Sequence, residues 1–235
     1  MKRNVGRRVF LGIDRPNPAL VEKFRGIPSS NLGDMMQRLY CTNGSIRPLN
    51  NVPLLGVAFT VKCPAGDNMM FHRAMDLAQP GDVIVVDGQG SMERSLAGEI
   101  MMLYCKSRKI AGVVVEGCMR DSDSIAKMDF PVYCKGITPQ GPYKFGPGEI
   151  NVPVCVGGQV INPGDILVGD GDGIAVIRPE DAEDALQAVL DKVSLEETTI
   201  RNYSSGNVNY EKHQKLYGGQ MENEGYSYFE KGAQD

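Results

Sequence analysis

The chain has only two histidines, His72 and His213, and its six cysteines include no C-x-x-C pair. This argues against histidine-rich metal chemistry and zinc frames, so any metal should be a hard ion held by oxygen. No apolar run approaches the roughly 20 residues that span a bilayer. Neither charge dominates: 25 Lys plus Arg against 29 Asp plus Glu give a net charge of −4, with no basic stripe for a nucleic-acid backbone. Residues 9–13, behind a basic start, are too short for a secretory core, and Asp14 ends them. There is no P-loop, and no G-x-G-x-x-G turn lies between a strand and a helix. The expectation is a cytoplasmic protein whose partner is a small molecule rather than nucleic acid or membrane. Cys41, Cys63, Cys105, Cys118, Cys134 and Cys155 are then reduced, mostly buried small hydrophobes.

Hydrophobic residues at 42% and 235 residues in all suit one α/β domain with an appendage. Leu32, Met35, Met36 and Leu39 recur at helical spacing over residues 28–39, with Ser29 and Ser30 as N-cap candidates. A strand is expected over 57–63 and a helix over 69–78. Gly81-Asp-Val-Ile-Val-Val-Asp87 is an apolar run between turn residues, as expected of a strand covered on both faces. A helix over 98–109 and a second buried strand over 111–116 complete a βαβ unit with a right-handed crossover. Short strands are expected at 132–135, 152–156, 159–161, 165–168 and 173–177. Pro163-Gly-Asp-Ile-Leu-Val-Gly-Asp-Gly171 echoes Pro80 to Gly88, and the echo reads as two Pro-Gly turns feeding buried strands, not as a repeat architecture. An amphipathic helix is expected over 180–193. Beyond it Tyr203, Tyr210 and Tyr217 stand seven apart, and Ser204-Ser-Gly206 breaks the segment into two helical pieces suited to docking on a neighbouring subunit.

Polar residues gather at the ends of the βαβ unit: Asp87 and Gln89, then Glu99, then Arg120 and Asp121. Ligands of open α/β sheets bind beyond the carboxyl ends of the strands, so these groups are expected to share one crevice. The helix opening at Gly98-Glu99-Ile100-Met101 presents backbone N–H groups to an anion. Arg120 offers a two-pronged grip on a carboxylate, and Asp121 an oxygen for Mg²⁺ or Mn²⁺. Each residue also has an ordinary reading. Glu99 suits dipole compensation, Arg120-Asp121 is a common dipeptide, and His72 reads as packed or solvated. Gly169-Asp-Gly-Asp-Gly173 reads as a turn, because EF-hand spacing is missing.

The joint pattern is more specific. Gly98-Glu99, twenty intervening residues and Arg120-Asp121, set between the two Pro-Gly-Asp strands, resemble the 4-hydroxy-4-methyl-2-oxoglutarate aldolase family. That family also includes 4-carboxy-4-hydroxy-2-oxoadipate aldolases and the ribonuclease E inhibitors called RraA. Thr60-Val-Lys, Ala65-Gly-Asp-Asn68 and Gly157-Gly158 are further similar pieces, and the likeness covers about residues 28 to 180.

The resemblance implies an RraA-like swivelling β/β/α catalytic domain over residues 1–180. A C-terminal helix and oligomerisation arm over 181–235 would build a homotrimer or homohexamer. It further implies a metal-dependent pyruvate aldolase, a lyase cleaving a 4-hydroxy-2-oxo diacid to pyruvate and a second oxo acid, with oxaloacetate decarboxylation as a side activity. Arg120 would bind the pyruvyl carboxylate or carbonyl oxygen, and Asp121 would ligate Mg²⁺ or Mn²⁺. The backbone of Gly98, Glu99, Ile100 and Met101 would hold substrate, and Glu99 would act through a water as general base. Glu196 or Glu197 would reach a neighbouring copy's site. Ser124 stands where many members carry an acid, with Asp123 next door. The alternative within the resemblance is a non-catalytic, protein-binding regulator of ribonuclease E. Intact Asp121 and the lack of a charged docking stretch favour the enzyme.

Overall fold

The computed structural model describes residues 4–229. Helices α1 (Pro18–Glu22) and α2 (Ser29–Met35) lead into β1 (Arg47–Pro48), β2 (Leu54–Lys62), α3 (Met69–Leu77) and β3 (Asp82–Asp87). Then come β4 (Ser95–Ala97), α4 (Glu99–Ser107), β5 (Gly112–Met119), α5 (Ser122–Ile125) and β6 (Val132–Ile137). The strands finish with β7 (Glu149–Ile150), β8 (Val154–Val156), β9 (Gln159–Ile161), β10 (Ile166–Gly169) and β11 (Ile174–Ile177), before α6 (Ala182–Ser204) and α7 (Tyr210–Asn223). The chain divides into two compact units after Asp191.

β3 explains the layering of the first unit. All six of its residues are buried, and successive side chains point to opposite faces. Ile84 and Val86 join the cluster with Phe71, Ala74 and Met75 of α3 and Met102 and Cys105 of α4. Val83 and Val85 join Val154 and Val156 of β8, Ile161 of β9 and Tyr133 of β6. The result is helices on one face of a mixed sheet and a β8–β9 hairpin on the other, a β/β/α stack. The main sheet runs β1-β6-β5-β3-β2-β10-β11, with β4 added beside β5 and β7 beside β2. β2, β3, β5 and β6 are mutually parallel, while β10 and β11 return antiparallel. The expected β3–α4–β5 unit is present. Both Pro-Gly turns feed buried strands, β3 and β10.

Several boundaries differ from the sequence expectation. α2 stops at Met35 because Gln37 and Arg38 take left-handed backbone angles, and its N-cap is Pro28 rather than a serine. Ser29 instead donates its backbone N–H and hydroxyl to the Asp170 carboxylate. β2 begins three residues early and β5 runs three residues past Glu116. Residues 169–173 form the β10–β11 turn, as expected. The cysteines are unpaired, four of the six are buried, and burial pushes the Cys63, Cys105 and Cys134 thiols up to about 12. They are inert, protonated core groups.

Asn50 fastens the segment that comes after the Arg120-Asp121 turn. Its Nδ2 donates to the carbonyls of Ile125, Met128 and Phe130 at 3.1, 3.2 and 2.8 Å. Asn50→Ala strands those buried acceptors, and a loss of about 1–3 kcal/mol is expected from the shift in urea midpoint at constant slope.

α6 runs unbroken to Ser204, past the end at 193 expected for the amphipathic helix and through the first piece of the arm; Gly206 then takes a φ of 78° and α7 follows, so the break at Ser204-Ser-Gly206 is as expected. Tyr203, Tyr210 and Tyr217 are all at least half exposed.

Candidate active site

Sheet pairing brings the two halves of the motif together. β4 lies parallel to β5, with Ser95 opposite Cys118 and Ala97 opposite Met119, and the Arg120 N–H donates to the Ala97 carbonyl at 3.0 Å. Gly98 and Arg120 therefore leave adjacent strand ends. Asp121 turns in the left-handed region at φ 58°, which a short polar side chain tolerates, and its Oδ2 accepts the Glu99 N–H at 3.0 Å. Arg120 Nε lies 3.6 Å from the same oxygen. Gly98 has extended backbone, so close approach is what demands glycine there: a Cβ would sit 2.2 Å from Asp121 Oδ2 and 2.9 Å from Arg120 Cγ.

Three groups on this wall are unspent among the described residues. The Ile100 N–H, in the first turn of α4, has no acceptor. Neither Nη of Arg120 has one, and no donor reaches Asp121 Oδ1. The wall borders a cavity of about 390 Å³ that Gly98, Ile100, Met101, Arg120 and Asp121 share with Asn68, His72 and Lys144. Arg120 and Lys144 against Asp121 leave it net positive. On the far side of Arg120 and Asp121 lies a second cavity of about 410 Å³, lined by Glu99, Ser122, Asp123, Ser124 and Thr138. Gly98, Ile100, Met101, Arg120 and Asp121 thus share the first cavity, whereas the Glu99 residue borders only the second.

The opposite wall is not anticipated from sequence. Asp67 accepts the N–H groups of Phe145 and Gly146 at 2.6 and 3.0 Å, and Tyr143 exchanges backbone hydrogen bonds with Gly66 and Asn68. These bonds stitch the loop carrying Lys144 to the start of α3. Asn68 is 1% exposed and gives its Nδ2 to the Leu96 carbonyl at 2.7 Å, leaving Oδ1 buried without a partner. His72, one turn along, also has a buried, unpartnered Nε2. Burial lowers its pKa, the Lys144 charge lowers it further and Asp76 opposes, so the ring is neutral at pH 7. His72 is half-buried, in keeping with the packed reading, and it also borders the cavity. The available signal is Asn68 and His72 four apart at one helix start, hence on one face.

Asp87 and Gln89, both expected in the crevice, line neither cavity. Asp87 has the parity of Val83 and Val85, so it points to the hairpin face, where it pairs with Lys62 at 3.4 Å and accepts the Gln89 N–H at 3.0 Å. Glu116, in register with it, pairs with Lys135 at 2.8 Å and accepts the N–H of Gly157 beside β8. Glu196 and Glu197 lie in the second unit, where Glu196 pairs with Lys192 of the same helix at 3.4 Å.

The family model described as "RraA-like: Aldolase/RraA" matches residues 29–176, which contain every residue of both cavity walls. A Halalkalibacterium halodurans protein named "Putative 4-hydroxy-4-methyl-2-oxoglutarate aldolase" is 40% identical over 185 residues, 78% of this chain and 88% of that protein. Streptomyces coelicolor RraAS2, titled an unusual member of the RNase ES inhibitor RraA protein family, superposes with a TM-score of 0.72 at 27% identity. That match covers 80% of this chain and 98% of the other. The RNA-processing inhibitor RraA from Thermus thermophilis matches with a TM-score of 0.59 at 26% identity, covering 64% and 92% respectively. The β/β/α stack, the Gly98–Asp121 wall and these likenesses agree: the chain belongs to the RraA-like aldolase/RraA family.

Proposed function

We propose that the chain is a divalent-metal-dependent pyruvate aldolase. In this reading it cleaves a 4-hydroxy-2-oxo diacid, of the 4-hydroxy-4-methyl-2-oxoglutarate or 4-carboxy-4-hydroxy-2-oxoadipate type, to pyruvate and a second oxo acid. The observation that carries the reading is one cavity wall holding the unspent Arg120 guanidinium, the free Ile100 N–H and the free Asp121 Oδ1. The guanidinium is a two-pronged donor for the pyruvyl carboxylate. The Ile100 N–H adds a donor at the positive end of α4.

Asp121 decides which metal suits the wall. Among the described residues no three His, Cys, Asp or Glu are grouped to hold an ion, which argues against a caged zinc or calcium site. One free carboxylate oxygen beside an anion-binding wall fits Mg²⁺ or Mn²⁺, which keep several waters and take further oxygens from substrate. When bound, such an ion supplies Lewis-acid stabilisation of the charge that develops on the 2-oxo oxygen. Glu99 acts through a water as the general base that takes the proton of the C4 hydroxyl. Oxaloacetate decarboxylation yields the same enolate and is the accompanying activity. The working form is a homotrimer or homohexamer in which Glu196 or Glu197 of a neighbouring copy completes the site.

The test is pyruvate release from 4-hydroxy-4-methyl-2-oxoglutarate, followed through lactate dehydrogenase. Mg²⁺ or Mn²⁺ is expected to raise the rate at least about tenfold over chelator-treated protein. Cleavage undiminished after complete metal removal would sink the proposal.

A further inference from the structure

The loop that carries Lys144 is fastened on both sides of it. The Gln140 carbonyl accepts the N–H and the hydroxyl of Ser95 at 2.8 and 2.9 Å. Arg94 gives one Nη to the Gly141 carbonyl at 2.9 Å and the other to the Tyr143 hydroxyl at 3.0 Å, and its guanidinium lies 4.1 Å from the centre of the Tyr143 ring. With Asp67 holding the N–H groups of Phe145 and Gly146, the backbone is set just before and just after Lys144. The Lys144 ammonium itself makes no hydrogen bond or ion pair among the described residues, and the residue is exposed where it borders the first cavity. A pinned backbone with an uncommitted ammonium is a positioned cation. Ser95 opens β4 and Ala97 closes it, and the Ala97 carbonyl holds Arg120. One three-residue strand thus anchors both the Arg120 turn and the Lys144 loop, which fixes the separation of two cations across the cavity.

We infer that Lys144 binds the carboxylate on C4 of the substrate and so selects diacids over 4-hydroxy-2-oxo monoacids. The inference rests on the aldolase reading above and deepens it by naming the group that sets the substrate class. Both candidate substrates carry a carboxylate directly on C4. With the pyruvyl carboxylate at Arg120 and the 2-oxo oxygen on the side of Asp121, C3 and C4 extend away from that wall toward the loop. A dianion held by one guanidinium alone would leave its second charge desolvated and unpaired, and a second cation removes that cost. Lysine suits this end of the substrate better than a planar fork, since its three donors turn on a flexible stem and follow a carboxylate that reorients as the C3–C4 bond breaks. Pyruvate, with a single carboxylate, engages Arg120 and has no call on Lys144.

Three reactions, run with Mn²⁺ present, separate this role from a general one. They are cleavage of 4-hydroxy-4-methyl-2-oxoglutarate, cleavage of 4-hydroxy-2-oxopentanoate, which has no carboxylate on C4, and exchange of the pyruvate C3 hydrogens in deuterium oxide followed by nuclear magnetic resonance. Lys144→Met is expected to lower kcat/KM for the diacid about 50-fold, chiefly through KM, as for the loss of a hydrogen bond between charged groups. Monoacid cleavage and pyruvate exchange should fall by no more than about threefold, and so report intact folding and an intact enolate wall. Lys144→Arg keeps the charge and should hold the preference for the diacid within about fivefold of wild type. A loss shared equally by all three reactions, or a preference for the diacid that survives Lys144→Met, would overturn the assignment while leaving the aldolase reading standing. Wild-type protein that releases pyruvate from neither acid overturns both.

Discussion

Arg120→Ala is expected to lower kcat/KM for pyruvate release about 1000-fold, within the roughly 2–5 kcal/mol lost when one partner of a hydrogen-bonded charge pair is truncated. Both Nη atoms of Arg120 are uncommitted, and its only protein partner among the described residues is Asp121, through Nε at 3.6 Å. Alanine removes the two-pronged donor and leaves the substrate carboxylate against Asp121 with less opposing charge. Arg120→Lys keeps the charge but not the planar fork, so it should recover only about tenfold of the loss. Because the side chain is 45% exposed, the denaturation midpoint should stay close to that of wild type. Steady-state kinetics with either substrate read the effect, and a loss under about threefold would remove Arg120 from the reaction.

Gly98→Ala should be nearly as damaging, although it adds a single methyl group. The new Cβ would lie 2.2 Å from Asp121 Oδ2, against about 3.4 Å for an ordinary contact, so the carboxylate must retreat by roughly 1 Å. That retreat breaks the bond from the Glu99 N–H and shifts the free Oδ1 with it. Misplacement on this scale costs about 100-fold in rate. Perturbing how a metal-ligating carboxylate is held costs about 10–100-fold in affinity. Together, at subsaturating Mn²⁺, roughly a several-hundredfold fall in activity is expected, partly restored by excess Mn²⁺. Mn²⁺ titration followed by electron paramagnetic resonance would show the weaker binding. A Gly98→Ala protein with wild-type Mn²⁺ affinity and rate would mean that Asp121 is not the ligand.

The two walls of the cavity differ in how far sequence reveals them. The Gly98–Asp121 wall is legible because a buried run such as Asp82-Val-Ile-Val-Val-Asp87 declares its strand, and the crossover then places the residues just beyond each strand end. β4, only three residues long, carries no periodic pattern, yet it is the element that sets Gly98 beside Arg120. The Asn68–Lys144 wall depends on Asp67 bonding to the backbone of Phe145 and Gly146, 78 and 79 residues away, which no local pattern encodes. Asp87 is misplaced for a different reason. Its position at a strand end suggests the crevice, but the two-residue alternation from Val83 already assigns it to the other face.

The hydrogen bond from Arg120 to Ala97 and the pairing of β4 with β5 clasp the motif at one end of the crossover, while α4 and its exit turn extend away to the other. Spacing between Glu99 and Asp121 in three dimensions is thus independent of how many residues the far turn contains. Evolution can lengthen or trim that turn without moving an atom of the reaction centre, whereas the short stretch around Ala97 has no such latitude.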